Sequence, residues 1–156
     1  TLTKTIAANT TILNTHNPLL DALLSKKYEE ASRKGVMVYF DLPDLRDMPM
    51  GQTDLVIVLS NLLNNAIEAA AQADPPEVYV RMRKSEDEVV LSVRYRVEKD
   101  LNLVDGQLPR ISQKGAGHGF GLWNVRDVLK KYGGEYTISF RGCWYRFTCT
   151  IPLRKL

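Results

Sequence analysis

The sequence is poor in the residues that build disulfide frameworks and metal clusters. Two cysteines and two histidines occur among its 156 residues. Cys143 and Cys149 lie six positions apart on one predicted strand, roughly 20 Å at the rise of an extended chain, which is too far for them to bridge each other. We therefore expect reduced, structural thiols, as in a cytosolic protein.

Long apolar runs and blocks of like charge are absent as well. No apolar run approaches the roughly 20 residues of a membrane span, and no signal peptide opens the sequence, so we expect no membrane contact by this stretch. The net charge of +3 comes from lysines and arginines interspersed with acids, which gives no indication of nucleic-acid binding. A hydrophobic fraction of 44% over this length predicts one domain.

Hydrophobic periodicity predicts alternating helices and strands. Asn17 and Pro18 supply the cap and first turn of a helix that Gly35 ends, and its apolar stripe consists of Leu19, Leu20, Leu23, Leu24, Tyr28 and Ala31. Strands are predicted at residues 36–42, 77–84, 89–96, 136–141 and 144–151. Residues 1–9 are interpreted as the tail of a helix. Such an order predicts an α/β fold, a two-layer sandwich with one sheet covered on one face by helices.

Two further stretches are open to more than one interpretation. Residues 97–114 lose all periodicity, which is typical of a functional lid or of a surface loop. Arg81, Arg83, Arg94 and Arg96 alternate along the predicted strands and are expected to share one exposed sheet face. Such a face usually serves solubility and only weakly indicates a docking surface.

A glycine-rich stretch leads into the last predicted helix. The letters GAGHGFGL place glycine at every second position, where the backbone turns freely and can approach a ligand closely. A loop that enters a helix N-terminus directs free amides and a positive dipole end to one place, which favours a phosphate. The candidate ligand-binding residues are Lys114, Gly115, Gly117, His118, Gly119, Gly121 and Leu122. A flexible connector, with Lys114 as an ordinary solvated residue, is the alternative.

A helix predicted over residues 52–73 carries amides beside a broad apolar face. Asn61, Asn65 and Glu68 stand at i, i+4 and i+7, so they share one stripe. Asparagine is a poor helix former, so some other requirement is expected to hold these residues there. Mg²⁺ bound mainly by nucleotide phosphates takes one or two protein oxygens, and an amide carbonyl can supply one. A solvated helix edge is the alternative.

Together the two motifs resemble the GHKL superfamily of ATPases. LSNLLNNAIEAA is similar to its N box, and GAGHGFGLWNVRDVLKKYGGEY is similar to its G2 box with the following helix. The chain most resembles sensor histidine kinases of the peptide quorum-sensing (Agr-like) type, in which a segment similar to NPLLDALLSKKYEEASRKGV precedes the N box. The resemblance implies the Bergerat ATP-binding fold over residues 14–156, with residues 1–13 as the remnant of an upstream dimerisation segment.

The resemblance also implies ATP and Mg²⁺ as cofactors, Asn61 and Asn65 as catalytic and ATP-binding residues, and Asn65 as the metal ligand. Asn61 stands where GHKL hydrolases carry a glutamate that activates water. The implied phosphoacceptor is a histidine on the upstream dimerisation helix and not His16, so the isolated chain is expected to be inactive. The implied partners are that helix in a homodimer and a response regulator of the LytTR type. The domain would be the cytoplasmic part of a membrane receptor.

The chain departs from the superfamily where adenine would bind. It has no G1 box, an aspartate followed by spaced glycines, and Asp105 with Gly106 is the nearest echo. Tyr95 stands where the quorum-sensing subgroup tends to have asparagine, and it could stack on a base or pack in the sheet. Two other functions therefore stay open: a degenerate GHKL scaffold that binds no nucleotide, and an ATP-driven conformational clamp, which Asn61 disfavours.

Overall fold

A computed structural model of the protein describes residues 13–48, 50–97 and 116–153, together with Lys4–Thr5. Residues 4–5 and 116–120 are described by their backbone alone. In chain order the elements are β1 (Lys4–Thr5), α1 (Pro18–Arg33), β2 (Met37–Leu42), α2 (Gln52–Ala70), β3 (Glu77–Lys84), β4 (Glu88–Arg96), α3 (Ala116–Lys131), β5 (Glu135–Arg141) and β6 (Trp144–Pro152).

The strands form one mixed sheet in the order β1-β2-β3-β4-β6-β5. β2 and β3 run parallel, with Val38 beside Val78, and the other neighbouring strands are antiparallel. Buried residues alternate along the strands, and they pack with the buried residues of the helices in one core. The predicted two-layer sandwich, with helices on one face of a mostly antiparallel sheet, is confirmed.

The edge strand β1 corrects one prediction. Lys4 and Thr5 lie in a strand that pairs with Leu42 and Asp41 of β2, so the helix tail predicted for residues 1–9 is wrong at these positions. The free edge of β2 offers unpaired backbone groups to any segment that reaches it. Such a pairing is non-local, and two residues carry no periodicity from which it could be predicted.

Helix α1 begins as its sequence predicts. The Asn17 side chain accepts a hydrogen bond from the Leu20 amide at 3.2 Å and donates to the Leu45 carbonyl at 3.3 Å. Pro18 occupies the first turn, where its missing N–H costs nothing. Leu19, however, is 49% exposed, so it does not belong to the apolar stripe. The buried stripe runs through Leu20, Leu24, Tyr28 and Ala31.

The two cysteines occupy different environments. Cys143 lies exposed in the turn between β5 and β6, outside the strand predicted to hold both thiols, while Cys149 is buried within β6. Both are free. Burial raises the pKa of the Cys149 thiol to about 12, from an ordinary value of 9.0. The neutral thiol is therefore the form that the core accepts.

The Cys149 thiol makes alkaline stability a testable property. Between pH 9 and 12 the unfolded thiol loses its proton while the folded one keeps it, so the free energy of unfolding falls as pH rises. One such group contributes a slope of up to about 1.4 kcal/mol per pH unit. We expect Cys149→Val to flatten the loss of stability between pH 8.5 and 10.5, measured by urea unfolding. Cys143→Val is the matched control and should lose stability as the parent does; equal slopes in all three proteins would contradict the assignment.

Candidate functional site

The amide stripe of α2 faces the glycine-rich start of α3. Gly121 is buried against α2, and a Cβ built on it would lie 3.0 Å from Asn61 Oδ1. This distance is shorter than ordinary carbon–oxygen contact, so the two helices approach through a position where a side chain would have to displace Asn61. Two residues predicted from separate motifs, Asn61 and Gly121, are thus in contact.

The amide of Asn61 has a defined orientation. Its Nδ2 donates to the Ile57 carbonyl one turn earlier at 2.8 Å, which directs the amide oxygen towards α3. Such a bond back to the preceding turn fixes the side chain without a partner outside the helix. A fixed amide oxygen beside the first turns of α3 can accept a hydrogen bond, but it cannot take a proton as a carboxylate would.

Asn65, one turn further along α2, holds an unpaired donor. Its Nδ2 is buried and has no hydrogen-bond partner among the described residues. An unpaired buried donor costs about 1–3 kcal/mol, so it requires an explanation. Asn64 provides the contrast, because it is exposed and its Oδ1 accepts a hydrogen bond from Lys27 Nζ at 2.8 Å. Asn64 is thus a solvated amide, whereas the Nδ2 of Asn65 is buried without a partner in the described part of the chain.

The donor atoms of Asn65 fit a metal-bound nucleotide phosphate. The unpaired N–H is a donor that a phosphate oxygen accepts, and the carbonyl oxygen of the same amide is a ligand type that Mg²⁺ accepts. Within the described residues no group of three or more histidines, cysteines or carboxylates could hold a metal by itself. Mg²⁺ bound to a nucleotide takes one or two protein oxygens, and the Asn65 carbonyl is suited to be one of them.

The glycine-rich stretch is more helical than its sequence predicts. α3 already begins at Ala116, so Gly117, Gly119 and Gly121 lie in its first turns and not in a loop. Because the first four N–H groups of a helix have no acceptor within it, the amides of residues 116–119 require acceptors from outside the helix. His118 is described by its backbone alone, and Lys114 and Gly115 lie outside the described residues. Leu122 is buried in the core, so packing is the role its side chain has here.

A polar clamp fixes the far ends of the same two helices. Asp54 in the first turn of α2 accepts hydrogen bonds from the Tyr132 hydroxyl and, at 2.9 Å, from Lys131 Nζ. The Tyr132 hydroxyl in turn accepts from the Gly51 amide at 3.0 Å. The bond from Tyr132, and then that from Lys131, lower the pKa of Asp54. Sequence analysis missed this clamp, since its members lie about eighty positions apart.

Tyr95, the residue considered for stacking on adenine, packs in the core. Its ring is buried, and its centroid lies 4.9 Å from that of Tyr145. Burial raises its pKa, so the hydroxyl stays neutral. Of the two roles considered for Tyr95, packing is the one seen in the structure. The Tyr145 hydroxyl is buried without a partner among the described residues.

His16 lies in the turn before α1. Its Nδ1 contacts Asp44 Oδ2 at 3.0 Å, and its side chain is 43% exposed. The backbone of His16 has a positive φ of 66°. The residue is a surface histidine, as expected from its position before the helix.

In the described part of the chain, no helix has the length and apolar character needed to cross a membrane.

Comparison with known proteins shows which family the chain resembles. The family model of the GHKL domain matches residues 50–152. The sensor protein CitS of Bacillus subtilis is 30% identical over 152 residues, which is 91% of the chain and 27% of CitS. The sensor protein PhoQ of Escherichia coli O157:H7 is 29% identical over 125 residues, 76% of the chain and 24% of PhoQ. The chain thus spans about a quarter of the length of these relatives.

Solved structures share the fold. The catalytic domain of the histidine kinase ThkA, in a nucleotide-free form, superposes with a TM-score of 0.62 at 20% identity, covering 97% of each chain. Full-length ShkA in complex with AMPPNP gives a TM-score of 0.64 at 17% identity, covering 94% of this chain and 32% of ShkA. At these identities the likeness concerns the fold.

Proposed function

The chain belongs to the GHKL domain family, as a catalytic domain of the sensor histidine kinase type, and from this premise we propose that it binds Mg·ATP between α2 and the first turns of α3. The unpaired Nδ2 of Asn65 carries the proposal. It lies one helical turn from Asn61, whose oxygen faces Gly121 at the start of α3. A phosphate chain bound in the seam between α2 and the first turns of α3 would contact Asn65, Asn61 and the backbone amides of residues 116–119.

Each residue has a distinct role in this proposal. Asn65 donates to a phosphate oxygen and offers its carbonyl to the metal, while the α3 amides hold the phosphates in line. Mg²⁺, when bound, neutralises charge on the phosphates. In the proposed reaction a nitrogen of an acceptor histidine outside residues 1–156 bonds to the γ-phosphorus, the bond to the β,γ-bridging oxygen breaks, and ADP leaves. Protein groups then act by positioning and charge, because this transfer demands little covalent chemistry of the enzyme.

The identity of residue 61 bears on which acceptor is used. An amide cannot act as the general base that water attack requires, and the Asn61 Nδ2 is already committed to the Ile57 carbonyl. We therefore propose slow hydrolysis of ATP and preference for a protein histidine. Lys114, Gly115 and His118 stay candidates for phosphate contact on the basis of their sequence alone.

The wider assignments are proposals that rest on resemblance. Both curated relatives are sensor proteins. This supports a homodimeric two-component kinase whose acceptor helix lies upstream of the domain and whose partner is a response regulator. It also supports a cytoplasmic position of the domain in a membrane receptor. The finer assignments, to the peptide quorum-sensing type and to a LytTR regulator, rest on the resemblance of the segment at residues 17–36, which contains α1. Residues 1–13 would belong to the dimerisation segment.

A calorimetric titration tests the nucleotide role. We expect weak adenine nucleotide binding that Mg²⁺ strengthens, together with a rise in Tm at saturating Mg·ATP, because a ligand that binds only the folded state stabilises it. If the titration gives no heat and no Tm shift, the result favours the second candidate, the degenerate scaffold, which the missing G1 box and the packing of Tyr95 in the core support. Incubation of the isolated chain with radiolabelled ATP should give no acid-labile label, and label on His16 would contradict the proposed acceptor.

A further inference from the structure

The face of the sheet opposite the helices is lined by arginines and aromatic rings. Every second residue of β2, β3, β4 and β6 points to this side, and no element of the described ranges covers it. Between these strands lies a depression of about 560 Å³. We call this surface the open face; its polar and aromatic residues are Tyr39, Asp41, Tyr79, Arg81, Arg83, Ser92, Arg94, Trp144, Arg146 and Thr148.

The aromatic rings form one ordered row with Arg94. Tyr39 and Tyr79 are stacked, with centroids 4.8 Å apart and planes 12° from parallel. The Arg94 guanidinium lies 4.3 Å from the Tyr79 centroid and 5.2 Å from that of Trp144. Arg94 is therefore held between two rings, in a geometry that favours a cation. Tyr, Trp and Arg that are fixed before binding are the residue types that dominate protein interfaces.

The arginines of this face outnumber its two central carboxylates, Asp41 and Glu77, and Glu77 accepts hydrogen bonds from the Tyr39 and Tyr79 hydroxyls. Asp41 accepts hydrogen bonds from Arg83 at 2.8 and 3.1 Å, and Arg81 lies 3.7 Å from the same carboxylate. Arg94 and Arg146 have no carboxylate within ion-pair distance among the described residues. They also stand directly opposite each other on β4 and β6. Like charges at such positions destabilise a sheet, so folding does not explain this pair.

The rings and charges of the open face favour a protein segment over nucleic acid or a lipid surface as its partner. Nucleic acid would need free ring faces for base stacking, but Tyr79 has one face on Tyr39 and the other under Arg94. A lipid surface would need exposed apolar side chains, and the large ones in the described part, Leu19 and Trp123, belong to α1 and α3. Alternate residues on one strand of the open face are about 6.6 Å apart. Alternate side chains of an extended peptide have the same spacing, so an extended peptide matches this face.

We propose that the open face binds an extended, carboxylate-rich segment of a partner protein. Arg81 and Arg146 reach its carboxylates from the rims of the depression, while the Tyr39–Tyr79–Arg94–Trp144 row supports the chain between them. The site lies on the opposite side of the sheet from α2 and α3. It therefore goes beyond the proposed nucleotide function and does not depend on it.

A peptide of alternating glutamate and threonine, twelve residues long, is the probe for the 156-residue chain. Its binding is followed by amide chemical shifts in ¹H–¹⁵N NMR. We expect shifts on β3, β4 and β6, and at least tenfold weaker binding in Arg81→Gln/Arg146→Gln, which leaves the Arg94 row and the Arg83–Asp41 ion pair intact. The control Arg33→Gln/Arg126→Gln removes the same charge from the helices and should bind within twofold of the parent.

Thermal stability separates lost binding from unfolding. Removal of Arg146 relieves its opposition to Arg94, and loss of the contact of the exposed Arg81 with Asp41 costs little, so the Tm of the double variant should stay near that of the parent while binding weakens. Equal loss of binding in both double variants, or no shift on the three strands, would overturn the proposal. Tighter binding of tripolyphosphate or of a single-stranded oligodeoxythymidine at the same residues would likewise overturn the assignment to an acidic protein segment.

Discussion

Replacement of Asn65 by alanine should remove most of the effect of Mg²⁺ on nucleotide binding. The variant loses the unpaired buried donor and the carbonyl oxygen beside it, while the amides at the start of α3 are untouched. A hydrogen bond to a charged group contributes about 1.5–3 kcal/mol, so Mg·ATP should bind roughly 10- to 100-fold more weakly. Calorimetry with Mg²⁺ and with a chelator should give similar Kd values for this variant and clearly different values for the parent.

Asn64→Ala is the matched control for this experiment. It removes an identical amide from the neighbouring position of α2, but that amide is exposed and accepts a hydrogen bond from Lys27. We expect nucleotide binding within twofold of the parent. If Asn61→Ala abolished the metal effect while Asn65→Ala bound like the parent, the roles along the helix would be reversed. If both Asn61 and Asn65 proved dispensable, the stripe would be a solvated edge and the N-box interpretation would fail.

Stability measured without nucleotide gives an independent check. Asn65→Ala removes an unsatisfied buried donor and introduces a better helix former, and both changes favour the folded state. The Tm of the nucleotide-free chain should therefore stay the same or rise while nucleotide affinity falls. A fall in Tm would show that Asn65 has a structural partner, and the loss of affinity would then have a structural cause.

Local patterns in the sequence were sufficient to predict most elements. The cap at Asn17, the apolar face of α2 and the alternation of β3 and β4 are local signals, and they led to boundaries that the structure shares within a few residues. The i, i+4 spacing also predicted that Asn61 and Asn65 share a stripe on α2.

What the sequence could not predict depends on pairing between distant segments. The opposition of Arg94 and Arg146 follows from the register of β4 with β6, which no local pattern specifies. The glycines of α3 were interpreted as a loop because glycine is a poor helix former. Gly121 instead lies within the helix, where even a Cβ would require the closely approaching Asn61 side chain to shift. Tertiary packing here outweighs local propensity.

Replacement of Gly121 by valine should weaken nucleotide binding with or without metal. The added Cβ would lie 3.0 Å from Asn61 Oδ1, and its two methyl groups would extend into the same seam between α2 and α3. The helices must separate or the Asn61 amide must turn away, so the phosphate-binding groups lose their alignment. We expect at least a tenfold loss of affinity by calorimetry for both ATP and Mg·ATP, whereas Asn65→Ala should lose mainly the metal-dependent part.

Two further variants make this result interpretable even if Gly121→Val folds poorly. Gly121→Ala requires Asn61 to move by a few tenths of an ångström, and since alanine favours a helix by about 1 kcal/mol over glycine, its Tm should stay near that of the parent while its affinity falls. Asn124→Val adds the same β-branched side chain on the exposed side of α3 and should bind nucleotide normally. Binding equal to the parent in folded Gly121→Ala and Gly121→Val would place the nucleotide away from the seam between the two helices.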